Sequence, residues 1–177
     1  AFLMAADLPL PKQIFAHGWW TNEGEKISKS LGNIIDPYQE KESYGLDFLR
    51  YFLLKKINFG SDGDFNRKDL EAICHADLAN NLGNLLQRSL TMVQKHFAGQ
   101  IPGQSLADNR QSDFLEPFYE LHEKLKNHID NSQYAQYLEM IMALAKSANE
   151  YFATQQPWQL VKSDKKQAAK CLYNVLE

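Results

Sequence analysis

This sequence has few cysteines, no long apolar runs and no excess of positive charge. It has two cysteines among 177 residues, Cys74 and Cys171, which lie far apart and form no CxxC pair. That pattern argues against a disulfide framework and a zinc knuckle, so we expect no metal site. No apolar stretch approaches the roughly 20 residues that cross a bilayer, and residues 1–6 lack the basic start of a secretory signal. We therefore expect a cytoplasmic protein without a membrane partner.

The charge balance also restricts the partners. The formal net charge is −3, whereas a general nucleic-acid binder is usually basic because it neutralises phosphates. Composition therefore argues against bulk electrostatic binding of RNA. Any RNA binding would need local basic clusters and contacts with bases.

The first 35 residues predict a strand and a loop. Prolines at positions 9 and 11 break any helix there. Residues 13–20 predict a strand, and residues 21–25 predict a turn rich in types that accept unusual backbone angles. A loop rich in serine and lysine follows. The chain opens inside an apolar run without a helix cap and ends in a helical pattern without a stop signal, so we expect a piece of a longer protein.

From Asp36 onward the pattern is helical. Asp36 before a proline is typical of a helix start, residues 46–53 predict a second, very apolar helix, and residues 60–64 predict a break. Apolar residues then recur at three- and four-residue steps over residues 70–97, which predicts a long amphipathic helix. Cys74 falls on that apolar stripe, which predicts a buried thiol.

The remaining sequence predicts three more helices. A loop containing Gly99, Pro102 and Gly103 ends the long helix. Helices follow near residues 112–130, 132–154 and 164–177, and Pro157 prevents the helix at 132–154 from continuing.

These patterns together predict a mainly α chain in three parts. Residues 1–35 are expected to be a strand-plus-loop remnant of another domain, residues 36–64 a helical connector, and residues 65–177 a helix bundle.

One loop carries groups suited to phosphate chemistry. Lys26-Ile27-Ser28-Lys29-Ser30, here called the KISKS loop, places two ammonium groups three residues apart, interleaved with two hydroxyls. Mobile lysines that engage phosphate in the transition state lower the barrier to nucleotidyl transfer. For an arbitrary loop with this lysine spacing, a solvated surface loop is the more common outcome.

The whole stretch resembles the KMSKS signature of class I aminoacyl-tRNA synthetases, with Ile27 at the usual methionine position. The flanks, His17-Gly18-Trp19 before the loop and Leu31-Gly32-Asn33-Ile34-Ile35-Asp36-Pro37 after it, also resemble that family. The resemblance implies that residues 1–35 are the end of a Rossmann-like catalytic domain. It implies that Lys29 contacts ATP phosphates, that Lys26 assists, and that the loop and His17 lie near the nucleotide.

The downstream helices resemble the anticodon-binding domain of methionyl-tRNA synthetases. The resemblance lies in residues 77–88, in residues 148–151 and in Gln156-Pro157-Trp158. It implies that Asn84, Arg88 and Trp158 contact anticodon bases. It also implies ATP (with Mg²⁺), methionine and tRNA(Met) as partners of the longer enzyme.

The side-chain chemistry agrees with that role. Asn84 and Arg88 are one helical turn apart and share a face. An Asn amide can hydrogen-bond to the edge of a base, and an Arg guanidinium can hydrogen-bond to a base or stack on it. The unpaired bases of a loop stack on aromatic rings such as that of Trp158. Taken without the resemblance, Trp158 capping the core and a solvated Asn84–Arg88 face are the more common outcomes.

Two further expectations follow from the resemblance. Four basic residues of the connector are candidates for contact with tRNA phosphates: Lys41, Arg50, Lys55 and Lys56. The chain lacks the upstream His-Ile-Gly-His-type motif and the amino-acid pocket, so we expect it to be inactive by itself. The alternatives are the anticodon-binding module of another class I synthetase and a helical interaction domain without a role in RNA binding.

Overall fold

The computed structural model describes residues 1–102 and 114–177. This part of the chain is mainly helical. The helices, in chain order, are α1 (Phe2–Ala5), α2 (Pro37–Tyr44), α3 (Leu46–Lys55), α4 (Arg67–Cys74), α5 (Asn84–His96), α6 (Glu116–Tyr119), α7 (Leu121–Asp130), α8 (Tyr134–Gln155), α9 (Pro157–Ser163) and α10 (Lys165–Leu176). None of these described helices is long and apolar enough to cross a membrane.

Three short strands form one small sheet. Strands β1 (Trp20–Asn22) and β2 (Glu25–Lys26) pair antiparallel, and β3 (Gly63–Phe65) adds to β1 in parallel, which gives the order β2-β1-β3. Glu23 and Gly24 both have positive φ, 52° and 83°. This is the backbone pattern of a two-residue type I′ hairpin turn.

The strand prediction for residues 13–20 is wrong over most of its length. Regular pairing starts only at Trp20, because within the described chain β3 offers partners from Gly63 onward and no other strand lies beside residues 13–19. The predicted turn at 21–25 is shorter than expected, because its flanks belong to β1 and β2. The break predicted at 60–64 contains the start of β3, which its glycines and aspartates do not signal.

The helical predictions are largely confirmed. Asp36 caps α2, because its side chain accepts a hydrogen bond from the Tyr38 N–H at 2.9 Å. The helices predicted at 46–53, 132–154 and 164–177 correspond to α3, α8 and α10. Pro157 does stop α8, but it also begins α9, since its missing N–H is harmless at a first helical position.

Two other predictions need qualification. The helix predicted near 112–130 is divided into α6 and α7 from residue 116 onward. Its first two positions lie outside the described residues, as does Gly103 of the predicted loop.

The long helix predicted over residues 70–97 contains a π-helical stretch at His75–Gly83, here called the π-segment, which joins α4 to α5. Wider helical turns leave backbone groups that need other partners. Asn149 of α8 donates to the backbone O of Asn81 and to its side-chain O, both at 3.0 Å. Asn81 in turn donates to the Met142 carbonyl at 2.9 Å. These bonds fix the π-segment against α8.

Two hydrophobic cores lie on either side of the π-segment. The first packs α3, α4 and β3 around the buried rings of Phe52 and Phe65, whose centroids are 5.6 Å apart and edge-on. The second packs α5, α8 and α10 around Phe152, Cys171 and Leu172. Both cysteines are buried free thiols, as predicted for Cys74. Burial raises the pKa of the Cys171 thiol to about 12, so this thiol stays protonated and packs as an apolar group.

Candidate functional site

The KISKS loop begins at the end of β2 and lies at the surface. Lys26 is the last residue of β2, and Lys29 and Ser30 form a tight turn. Both lysines are exposed, whereas Ile27 and Ser28 are half-buried. Among the described residues, no carboxylate forms an ion pair with either lysine. The two ammonium groups are therefore available to an anionic ligand.

Asn33 closes the loop with its side-chain amide. Its Oδ1 accepts from the Ser28 N–H at 2.8 Å, and its Nδ2 donates to the Lys26 carbonyl at 3.1 Å. Because the same amide contacts the backbone of the first and the third residue of the loop, it fixes the backbone between Lys26 and Ser28, just before the turn that carries Lys29. The hydroxyls of Ser28 and Ser30 lie 2.8 Å apart and hydrogen-bond to each other.

The hairpin beneath the loop is fixed by Asp64 of β3. Its Oδ1 accepts from the Thr21 hydroxyl at 2.6 Å and from the Gly24 N–H at 2.7 Å. These hydrogen bonds stabilise the carboxylate form and lower the pKa of Asp64. The neighbouring Asp62 accepts from the Trp19 N–H at 2.7 Å. The loop's position therefore depends on side chains from a segment some 40 residues later in the sequence.

His17 does not contact the KISKS loop directly. Its Nδ1 lies 2.7 Å from the Gly18 carbonyl, and its ring is 6.5 Å from that of Phe59. It lines a partly open cavity of about 240 Å³ with Trp20 and Tyr134. Within the described chain, this cavity is bounded mainly by apolar side chains.

Arg88 and Trp158 come together at a second candidate site. The Arg88 guanidinium carbon lies 5.5 Å from the centre of the Trp158 ring and 5.0 Å from that of Phe152. The two rings are 6.0 Å apart and tilted. Distances of this size allow cation–π attraction, which orients the guanidinium. The three side chains of this cluster come from α5, α8 and α9.

An open cleft of about 400 Å³ lies over this cluster, here called the Arg88–Trp158 cleft. Its lining residues are Gln87, Arg88, Thr91, Met92, Phe152 and Trp158. Trp158 is 40 % exposed. An aromatic face, a planar cation and nearby polar groups form a surface suited to a flat, unsaturated ring that stacks and hydrogen-bonds.

Asn84 stands one helical turn before Arg88, as the first residue of α5, and it is exposed. It shares the helix face of Arg88 without lining the cleft. Sequence reasoning missed Phe152, which is 1 % exposed and supports both cleft residues. Its position on the apolar stripe of α8 indicates an ordinary core residue. Only Pro157, which ends α8 five residues later, suggested that a surface site lies nearby.

The basic residues of the connector differ in their surroundings. Lys41 and Arg50 are exposed, and Lys55 is half-buried. Lys56 forms an ion pair with Asp69 of α4. Within residues 1–102 and 114–177, no cluster of three or more His, Cys, Asp or Glu side chains is placed to hold a metal ion.

Comparison with known proteins defines the class. A family model described as "tRNA synthetases class I (M)" matches residues 1–90, a stretch that includes the KISKS loop, Asn84 and Arg88. The chain belongs to this class I tRNA synthetase family.

Curated relatives of the chain include methionine–tRNA ligases. The chain is 43% identical to the methionine–tRNA ligase of Rickettsia bellii over 187 residues, and 44% identical to that of Brucella suis over 177 residues. These matches cover 100% of this chain and 35% and 34% of the relatives. The chain thus spans about a third of the length of the curated relatives it matches.

Solved structures agree. The structure described as Mycobacterium tuberculosis methionyl-tRNA synthetase in complex with methionyl-adenylate is 40% identical, with a TM-score of 0.86. The match covers 99% of this chain and 35% of that one. The apo form of the same synthetase gives a TM-score of 0.83 at 36% identity.

Proposed function

We propose that this chain is part of a cytoplasmic methionine–tRNA ligase, which activates methionine with ATP and attaches it to tRNA(Met). The observation that carries the proposal is the similarity to methionine–tRNA ligases along the whole chain, together with an exposed KISKS loop. In this proposal residues 1–35 are the end of the Rossmann-like catalytic domain, residues 36–64 contact the tRNA stem, and residues 65–177 form the anticodon-binding bundle.

The KISKS loop would act on the phosphates of ATP. When the methionine carboxylate attacks the α-phosphate, pyrophosphate leaves and negative charge develops on the transferring group. Lys29, exposed on its turn and with Lys26 nearby, can approach that charge. Stabilisation of a transition-state charge by one such group contributes roughly 3–4 kcal/mol, or about two to three decades in rate. Any Mg²⁺ would arrive with the ATP, as expected for the longer enzyme.

The Arg88–Trp158 cleft would read the anticodon. Unpaired bases can leave their stack and lie on an aromatic ring, and Trp158 is partly exposed to such a base. The Arg88 guanidinium lies over two rings, and its N–H groups would donate to the edge of a base. Asn84, one turn away on the same face, would add a donor–acceptor pair. The stacking and the hydrogen bonds together would supply specificity for the methionine anticodon.

The test replaces Lys29 with alanine in the longer protein that carries this chain. Methionine-dependent exchange of pyrophosphate into ATP should fall by about two to three decades, while the dissociation constant of methionine stays unchanged. Lys166→Ala, which removes an exposed lysine of α10, is the matched control and should retain full activity. Activity of the wild type with another amino acid but not with methionine would refute the proposal. So would an unaffected Lys29→Ala variant.

A second measurement addresses the chain by itself. In this proposal the upstream nucleotide motif and the amino-acid pocket belong to other parts of the longer enzyme, so the 177-residue chain should not catalyse methionine-dependent exchange. Robust turnover by the isolated chain would contradict this expectation.

A further inference from the structure

Arg67, the first residue of α4, joins three parts of the fold. Its guanidinium forms an ion pair with Glu40 of α2, whose side chain is almost fully buried. It also lies 3.4 Å from the Glu23 carboxylate in the hairpin turn and packs over the Phe65 ring at 5.4 Å. Glu23 further accepts from the Arg67 backbone N–H at 3.1 Å. The side chain therefore has partners on three elements.

Hydrogen bonds link Arg67 to the KISKS loop through Asn22 and Asn33, with the backbone and the side chain of Asn33 joining the last two steps. The Arg67 Nη1 donates to Asn22 Oδ1 at 3.2 Å. Asn22 Nδ2 then donates to the Asn33 carbonyl at 2.8 Å. The side chain of Asn33 contacts the backbone of both Lys26 and Ser28. Because an amide has a donor end and an acceptor end, fixing the Asn22 oxygen also directs its nitrogen towards the loop.

We propose that Arg67 is a positioning residue for the KISKS loop, acting through Asn22 and Asn33 on the backbone that carries the two lysines. This inference rests on the proposed function, in which that loop engages ATP. None of these three residues needs to touch ATP. Their role is to hold the first half of the loop backbone in one conformation, since a lysine that contributes only in the transition state must be placed accurately before it acts.

Arg67 is also the point where the bundle meets the hairpin. It starts the helix that continues through the π-segment into α5, where Asn84 and Arg88 lie. A residue in the connector or the hairpin could brace the loop locally. A brace at the first turn of α4 instead fixes the loop relative to the helical part of the molecule.

The experiment uses the longer, active enzyme with two substitutions. Arg67→Lys keeps the positive charge beside Glu40 but cannot supply the forked contacts to Asn22 and Glu23. Asn22→Ala removes the middle of the path and leaves the Arg67–Glu40 pair intact, so it remains informative if Arg67→Lys folds poorly. Each should lower kcat for methionine-dependent pyrophosphate exchange by about tenfold, with KM for methionine unchanged. The double variant should be no slower than the slower single variant, because both changes break one path.

Hydrogen exchange gives a readout that does not depend on activity. The Ser28 amide should exchange faster in both variants, whereas amides of α8 should keep their wild-type rates. A purely structural role would instead raise exchange in both regions. The control is Asp69→Asn, which changes a residue of α4, the helix of Arg67, and breaks its ion pair with Lys56 at the end of α3. It should change neither readout.

The outcomes separate the two ideas. If the wild type catalyses exchange and Asn22→Ala does so at the same kcat, the positioning role is refuted while the proposed function stands. Multiplying losses in the double variant would also refute the shared path. A wild type that shows no exchange with methionine and ATP would overturn the proposed function itself, and this inference with it.

Discussion

Replacing Trp158 with alanine tests the Arg88–Trp158 cleft most directly. The ring is 40 % exposed, with its covered part against Phe152 at 6.0 Å and the Arg88 guanidinium at 5.5 Å. Stacking of one base on such a ring contributes roughly 1–3 kcal/mol. Its loss should therefore raise the dissociation constant of a hairpin with the methionine anticodon by about 5- to 150-fold.

The assay is titration of the longer enzyme with a fluorescent anticodon hairpin, followed by anisotropy. Trp158→Phe is the matched variant: it keeps an aromatic face and should retain most of the affinity. Because the covered part of the ring also stabilises the fold, Trp158→Ala should lower the free energy of unfolding by about 2–3 kcal/mol. Titrations must therefore be made well below its melting temperature.

Two results would refute the reasoning. One is a folded Trp158→Ala protein that binds the hairpin as tightly as the wild type. The other is an equal loss of affinity for a hairpin whose anticodon bases have been changed, because a stacking platform in the anticodon site must matter most for the correct loop.

Two further predictions concern stability. Gly83→Ala would place a Cβ 2.8 Å from the Leu78 carbonyl oxygen. It should therefore destabilise the π-segment and lower the free energy of unfolding by about 1–2 kcal/mol. In an ordinary helix interior the same change stabilises the protein, so a gain in stability towards urea would contradict this prediction. Hydrogen bonds lower the pKa of Asp64 in the folded protein below its ordinary value of 3.8. Their contribution to stability is complete at pH values above 3.8, and it is lost as the pH falls through the lower pKa of the folded state. Asp64→Asn should therefore weaken the acid dependence of the melting temperature, and an unchanged dependence would show that Asp64 does not contribute.

Local signals in the sequence account for most of the helices. The Asp36 cap, the apolar periodicity of α8 and the break at Pro157 are all local, and each appears in the structure as expected. The π-segment could not be predicted in this way. Its apolar residues still recur at helical spacing, while the side chain that bonds to it, Asn149, comes 68 residues after Asn81. The short sheet was missed for the same reason, since β3 matters only through its pairing with β1.

The candidate sites also differ in whether local sequence signals are enough to predict them. The KISKS loop is a contiguous motif, so its exposure and turn follow from the sequence around it. The residues that support it do not, because in the sequence Asp64 falls in a predicted break and Arg67 looks like any other charged residue. At the cleft, the pair Arg88 and Trp158 was expected from the resemblance, and the structure brings them together. Phe152 beneath them looks like any other core residue of α8.

The negative charge of the chain is compatible with binding RNA if recognition works by stacking. A protein that binds by neutralising phosphates needs many cations and weakens steeply with salt. The Arg88–Trp158 cleft instead presents one guanidinium among two aromatic rings, with Met92 and uncharged polar side chains completing its wall. Stacking on a ring and hydrogen bonds to a base edge depend little on net charge. An overall charge of −3 also disfavours nonspecific contact with other nucleic acids, so discrimination would rest on the few residues that meet the bases.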